Sequence, residues 1–272
     1  MVSALFVPPI RLLVLFFGSG ACGLIYQVVW MRALALTLSV SVYAVTTVLC
    51  AFMAGLALGA WIAGRVADRL ERPLLAFGLA EIGVGATALA SLALLFDLGP
   101  AYAWFHDKLG GAGAAFVIAR FLLASAVLLL PCTLMGTTLP LLSRAVIGTE
   151  QVVGRGAGGL YAINTLGAVA GCLGAGFVLI PELGLRATSI VAALLNFSIG
   201  ITAALLGRRG RVDVGTAPSS AAPETGKLPL SVTVATLGFG ISGFTAIGYE
   251  VLWTRALEQF THNSTYAYTA ML

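Results

Sequence analysis

Residues 19–49 return, altered, at residues 242–272. The two stretches read SGACGLIYQVVWMRALALTLSVSVYAVTTVL and SGFTAIGYEVLWTRALEQFTHNSTYAYTAML, and thirteen of thirty-one positions are identical at a constant offset of 223. The identities include Tyr26/Tyr249, Trp30/Trp253, Arg32/Arg255, Ser41/Ser264 and Tyr43/Tyr266. Between the copies lie apolar runs long enough to cross a bilayer several more times. A long repeat inside such a chain predicts a body of two related halves, the plan of many secondary transporters.

Composition supports the bilayer as solvent. The chain is 59% hydrophobic and 10% charged, with a mean hydropathy of +1.00, whereas a soluble domain carries roughly 25% charged residues. The 33 glycines fall inside the apolar runs, where small residues let helix backbones approach closely. The net charge of +4 is not gathered into a basic patch interleaved with aromatics, so nucleic acid is not an expected partner. Cys22, Cys50, Cys132 and Cys172 stand singly in different segments, without metal-ligand or disulfide spacing. Arg11 and the run after it resemble a signal peptide, but the same segment recurs internally, so a mature helix is expected there.

The predicted class is an all-α polytopic membrane bundle. Six spans are expected at about 11–33, 41–64, 74–96, 115–143, 158–181 and 186–206, making a six-span half over 1–206. The polar stretch 207–229 reads as a linker. A second repeat starts at 230–272, with a span over 230–256 and another beginning near Ser264, and is expected to continue past Leu272. With the N-terminus in the cytoplasm, ten of thirteen assignable Lys and Arg residues fall inside, among them Arg11, Arg65, Arg144 and Arg208, against Arg32, Lys108 and Arg186 outside. Six spans precede the second copy, and an even number makes the repeats parallel.

Several residues carry possible chemistry. Gly64, Asp68, Arg69 and Arg72 match the G-x-x-x-D-R-x-G-R-R pattern of the loop between the second and third helices of the major facilitator superfamily, although Glu71 and Pro73 depart from it. The resemblance implies close helix packing at Gly64 and a conformational latch at Asp68; the plain alternative is a basic loop with one incidental acid. Tyr26, Gln27, Trp30 and Arg32, repeated as Tyr249, Glu250, Trp253 and Arg255, read as an aromatic belt with a packing role between halves, or as a substrate-facing cluster. Glu250 and Glu81 are intramembrane carboxylates, which are costly and mark functional sites by default. Arg120 lies too far along the bilayer normal to pair with Glu81, roughly 18–20 Å by helix rise, and is expected to snorkel outward. Glu81 is then either structural polar glue or a cation or proton site. Asn164 and Asn196 could hydrogen-bond across helices or coordinate a substrate. The G-x-x-x-G steps Gly55/Gly59 and Gly167/Gly171 predict tight crossings. Gly154–Gly159 satisfies G-x-G-x-x-G, but no strand precedes it, which argues against a nucleotide. No cofactor or metal set is indicated.

Three segments, GSGACGLIYQVVWMRAL, SVYAVTTVLCAFMAGLALGAWIAGRVADR and LYAINTLGAVAGCLGAGFVLIPELGLRAT, are similar to the membrane region of the spermidine-synthase-like membrane proteins, described as fused major facilitator/spermidine synthase proteins. The resemblance implies a bacterial inner-membrane module that transports a small, polyamine-like metabolite or serves a linked cytoplasmic aminopropyltransferase-like domain. None of that domain's motifs occur here, so any such activity is expected beyond residue 272. The rival expectation is a non-transporting anchor or a structural subunit of a larger membrane complex.

Overall fold

In lipid every backbone N–H and C=O has to pair within its own segment, so long apolar runs fold as helices. A computed structural model describes residues 9–38, 41–110, 113–146, 153–208, 230–261 and 264–272. The elements are α1 (Ile10–Leu38), α2 (Ser41–Val66), a 3-10 turn (Ala67–Arg69), α3 (Pro73–Phe96), α4 (Gly99–Leu109), α5 (Ala114–Val146), α6 (Val153–Gly174), a π turn (Ala175–Leu179), α7 (Ile180–Gly207), α8 (Leu230–Thr261) and α9 (Ser264–Met271). Among the described residues there is no strand. The G-x-G-x-x-G run falls in the first turns of α6 and follows no βαβ unit.

Among the described residues six helices are long and apolar enough to cross a membrane, which makes this an integral membrane protein. The fifth, Gly158–Gly207, has 50 residues. Drawn straight it would reach about 75 Å, more than twice the roughly 30 Å hydrocarbon core. It does not run straight, because Gly184 adopts φ 77°, a left-handed conformation that side chains resist. Neighbours confirm the reversal. Gly167 and Gly171 of α6 meet Phe17 and Ala21 of α1 in the same order. On α7 the order inverts, with Gly18 against Ile199 and the Cys22 thiol donating to the Ala192 carbonyl at 3.4 Å. The spans predicted at 158–181 and 186–206 are therefore two antiparallel crossings packed on α1.

The other spans stand close to their predicted places. Pro73 occupies the first turn of α3, where its missing N–H costs nothing. Pro131 and Pro140 are both carried inside the continuous helix α5. Gly55 and Gly59 bring α2 onto α5 at Cys132, Thr133 and Gly136. Both G-x-x-x-G steps thus form tight crossings, as small-residue packing in lipid requires. One element differs from expectation. The stretch between the spans predicted at 74–96 and 115–143 contains α4, ended by Gly110 at φ 70°.

α1 runs through the middle of the bundle against α2, α3, α6, α7 and α9. One end of the bundle, the arginine end, carries Arg65, Arg69, Arg72 and Arg144; the opposite end carries α4. α9 lies against Gln27, Cys172 and Gly176 near the α4 end. α8 leads into α9 there, so α8 and α1 run in the same direction. The linker predicted at 207–229 falls, from 209 onward, outside the described residues.

Candidate functional site

Glu81 sits nine residues into α3. Ser19, Asn164 and Asn196 lie at similar distances from the arginine end on α1, α6 and α7. By helix rise all four are roughly 12–17 Å from that end, near the middle of the bilayer. Close crossings bring them together. A Cβ on Gly20 would come within 2.0 Å of the Asn164 carbonyl oxygen, and one on Gly85 would meet Asn196 and Phe197. Only glycine lets α1 reach α6, and α3 reach α7, at this level.

The Glu81 side chain is fully buried. Ser19 Oγ donates to its Oε1 at 2.5 Å, and Asn196 Nδ2 donates to its Oε2 at 2.6 Å. Each carboxylate oxygen therefore has a neutral donor. Among the described residues no Lys or Arg pairs with it. Asn196 Oδ1 is buried and has no hydrogen-bond partner. The carboxylate fixes the amide's orientation, since the NH₂ has to face the acceptor. An unpaired acceptor and a carboxylate without a cation are left side by side, in surroundings where both are expensive.

These groups border a cavity of about 110 Å³. Ser19, Leu56, Glu81, Thr138, Asn164 and Asn196 line it, one residue each from α1, α2, α3, α5, α6 and α7. All six crossings that precede α8 converge there. A water needs roughly 10–15 Å³ of such space, so the cavity holds several waters or one small group. It lies inside the first six-crossing unit, not between the two repeats.

The other predicted residues fall elsewhere. Glu250 is on α8, outside this cavity, and its Oε1 is buried without a hydrogen-bond partner. Gln27, its counterpart in the first copy, is buried and donates Nε2 to Tyr268 of α9 at 2.9 Å. The belt reading fails for the first copy. Tyr26 and Trp30 are fully buried, stacked with ring centroids 5.6 Å apart, because α1 is central and has no lipid-facing side at that level. In the second copy Tyr249 and Trp253 are exposed, and Arg255 pairs with Glu258 at 3.1 Å. Arg32 is half-buried.

At the arginine end, Asp68 Oδ1 lies 3.6 Å from Arg144 Nε of α5. The acid of the loop pattern thus has an arginine opposite it, although at 80% exposure such a pair contributes about 0–1 kcal/mol. Gly64 does not make the close approach its place in the pattern predicts: a Cβ there meets nothing within 4 Å. Arg69 and Arg72 join no ion pair among the described residues. Arg120 does not approach Glu81. It packs instead against Tyr102 and Phe116 at the α4 end.

Sequence reasoning picked out Glu81, Asn164 and Asn196, the two asparagines as groups that could bond across helices or touch substrate, but it missed Ser19 and did not link Asn196 to Glu81. The links of Ser19 and Asn196 to Glu81 span 62 and 115 residues, and only the small residues beside them, Gly20 on α1 and Ser198 and Gly200 on α7, hinted at a close crossing. Compared with family models, curated proteins and solved structures, the chain matches none of them.

Proposed function

We propose that this protein is a transport module whose substrate site is the Glu81 cavity, and that the substrate is a small cationic metabolite of polyamine-like chemistry. The observation that carries this reading is the convergence of six helices on a mid-bilayer carboxylate held by Ser19 and Asn196, with no cation beside it. A substrate ammonium supplies the missing positive charge and donates to Glu81 and Asn196 Oδ1. A cavity of about 110 Å³ suits the ammonium end of an extended chain better than a bulky solute. In this reading the arginine end faces the cytoplasm by the positive-inside rule, the membrane is a bacterial inner membrane, and Asp68–Arg144 closes that end in one state. Kinship with the spermidine-synthase-like membrane proteins, and service to a linked aminopropyltransferase-like domain, belong to the same proposal and rest on the three sequence segments that resemble them.

The test is flux. Proteoliposomes holding the wild-type chain should take up labelled putrescine, and Glu81→Gln should cut that uptake at least about tenfold, as loss of a desolvated charge pair implies. Equal uptake by Glu81→Gln and wild type sinks the reading. A second reading, a non-transporting anchor or structural subunit, is favoured by α8, whose apolar span Val232–Thr261 buries none of its most apolar window. It predicts no uptake above empty liposomes.

A further inference from the structure

An apolar cleft lies away from Glu81, at the α4 end. It measures about 220 Å³ and opens between the end of α1, the start of α2 and the start of α5. Leu38, Tyr43, Val117 and Phe121 form its walls, with Thr46, Thr47 and Arg120 as polar members. Thr47 Oγ1 is already committed to the Tyr43 carbonyl at 2.7 Å. Among the described residues that line it, Arg120 is the one that carries a charge.

That arginine is held but not neutralised. Its guanidinium carbon lies 5.0 Å from the Tyr102 ring centroid and 5.1 Å from that of Phe116. Its Nε is buried and has no hydrogen-bond partner. Among the described residues no carboxylate pairs with it. Tyr102, on α4, feels the charge: burial pushes its phenol up, and Arg120 pulls it down by less. Rings stabilise a cation but do not accept its N–H hydrogens as an oxyanion does.

Depth identifies the occupant. α5 has 33 residues, about 50 Å by helix rise, and overhangs a hydrocarbon core of roughly 30 Å by about 10 Å at each end. Arg120 is six residues below the start of α5, about 9 Å by the same rise. It stands at the boundary where acyl chains meet phosphates, and the cleft's apolar walls run from there along α2 and α5. α4 lies over the same end with Trp104 exposed, as an interfacial helix does.

We propose that this cleft is a binding site for an anionic membrane phospholipid, with the phosphate on Arg120 and one acyl chain against Leu38, Tyr43, Val117 and Phe121. The site does not depend on the transport reading, since it shares no residue with the Glu81 cavity. Arginine suits a phosphate because its planar fork donates two parallel hydrogen bonds.

The full chain, purified in detergent, should be exposed to equal amounts of phosphatidylglycerol and phosphatidylcholine, and retained lipid measured by native mass spectrometry. Wild type should keep one phosphatidylglycerol in preference to phosphatidylcholine. Arg120→Gln should lower that preference about tenfold, Arg120→Lys less, and Val117→Trp should lower retention by filling the cleft with Arg120 intact. Glycerol phosphate without acyl chains should not compete. Equal retention of the two lipids by wild type, or unchanged preference in Arg120→Gln, overturns the proposal and leaves Arg120 reaching for water. Full competition by glycerol phosphate overturns it in favour of a free-anion site. If Arg120→Gln does not fold, Val117→Trp decides: unchanged phosphatidylglycerol retention in that variant refutes the site.

Discussion

In the first copy of the repeat Tyr26 and Trp30 are each 0% exposed; in the second, Tyr249 and Trp253 are 62% and 54% exposed. The residue types and spacing are the same, so the difference lies in the neighbours. Among the described residues α1 is wrapped by five helices, whereas the main neighbours of α8 are α9 and α2. The second arm of the repeat behaves otherwise. Ala44 and Val45 of α2 are buried, and so are their counterparts Ala267 and Tyr268 of α9, because α9 docks on α1 and on the π turn, where Thr269 fills the space beside Gly176. In lipid the solvent is as apolar as the side chains, so an aromatic pattern prescribes a helix but not its burial. Burial comes from small residues on the partner that let backbones close.

The sharpest way to break this comparison is to mutate both copies at one position. Trp30→Ala should destabilise by about 3 kcal/mol or more, the usual cost of emptying a core aromatic site. Trp253→Ala should stay within about 0.5 kcal/mol. Steric-trapping measurements of unfolding in bicelles check both, and equal losses would abolish the distinction. Next comes the glycine pair. Gly20→Ala forces α1 off α6 at Asn164 and should cost about 1–3 kcal/mol, together with the Glu81 cavity's shape. Gly243→Ala, where a Cβ meets nothing within 4 Å, should be neutral or gain up to about 1 kcal/mol from helix propensity. Thermal unfolding in detergent reads this pair, and a costly Gly243→Ala would mean α8 packs as α1 does. Smaller again, Gln27→Leu should cost about 1–2 kcal/mol by stripping Tyr268 of its donor, while Glu250→Gln, which takes the charge off a buried oxygen with no partner, should be neutral or gain stability. The smallest effect is expected at the arginine end. Asp68→Asn should change stability by less than about 1 kcal/mol and lose even that in high salt. A larger, salt-resistant loss would give the Asp68–Arg144 pair a structural weight its exposure denies.

Much of this fold was legible in the sequence, because in lipid the spans announce themselves as apolar runs and the backbone leaves helices as their only form. The reversal between α6 and α7 was legible for the same reason: a run of 50 residues exceeds one bilayer. α4 was not, since 11 residues reading GPAYAWFHDKL carry no membrane-length signal; its marks were local ones, Pro100 near its start, His106 and Lys108 in its last turn and Gly110 just past its end. For the site, depth arithmetic correctly separated Glu81 from Arg120. What arithmetic along one helix cannot supply is rotation about its axis. Whether Ser19 and Asn196 face Glu81 depends on how glycines seat four helices together, Gly20 bringing α1 onto α6 and Gly85 and Gly200 joining α3 and α7, and those contacts are long-range. Gly64 marks the opposite failure: a glycine matching a loop pattern was expected to pack closely and faces open space.

The most direct test of the central claim is the chemical accessibility of the cavity itself. With the four native cysteines replaced, Asn164→Cys and Leu166→Cys should be reacted in proteoliposomes with a water-soluble, cationic methanethiosulfonate reagent. Asn164 lines the cavity, whereas Leu166, two residues on, points away from the bundle and is exposed on its flank. The account predicts that Cys at 164 reacts, is slowed by putrescine, and loses reactivity when Glu81→Gln is added, while Cys at 166 stays inert in lipid. An inert Cys at 164, or equal reactivity at the two positions, would contradict a polar cavity at the centre of these six helices.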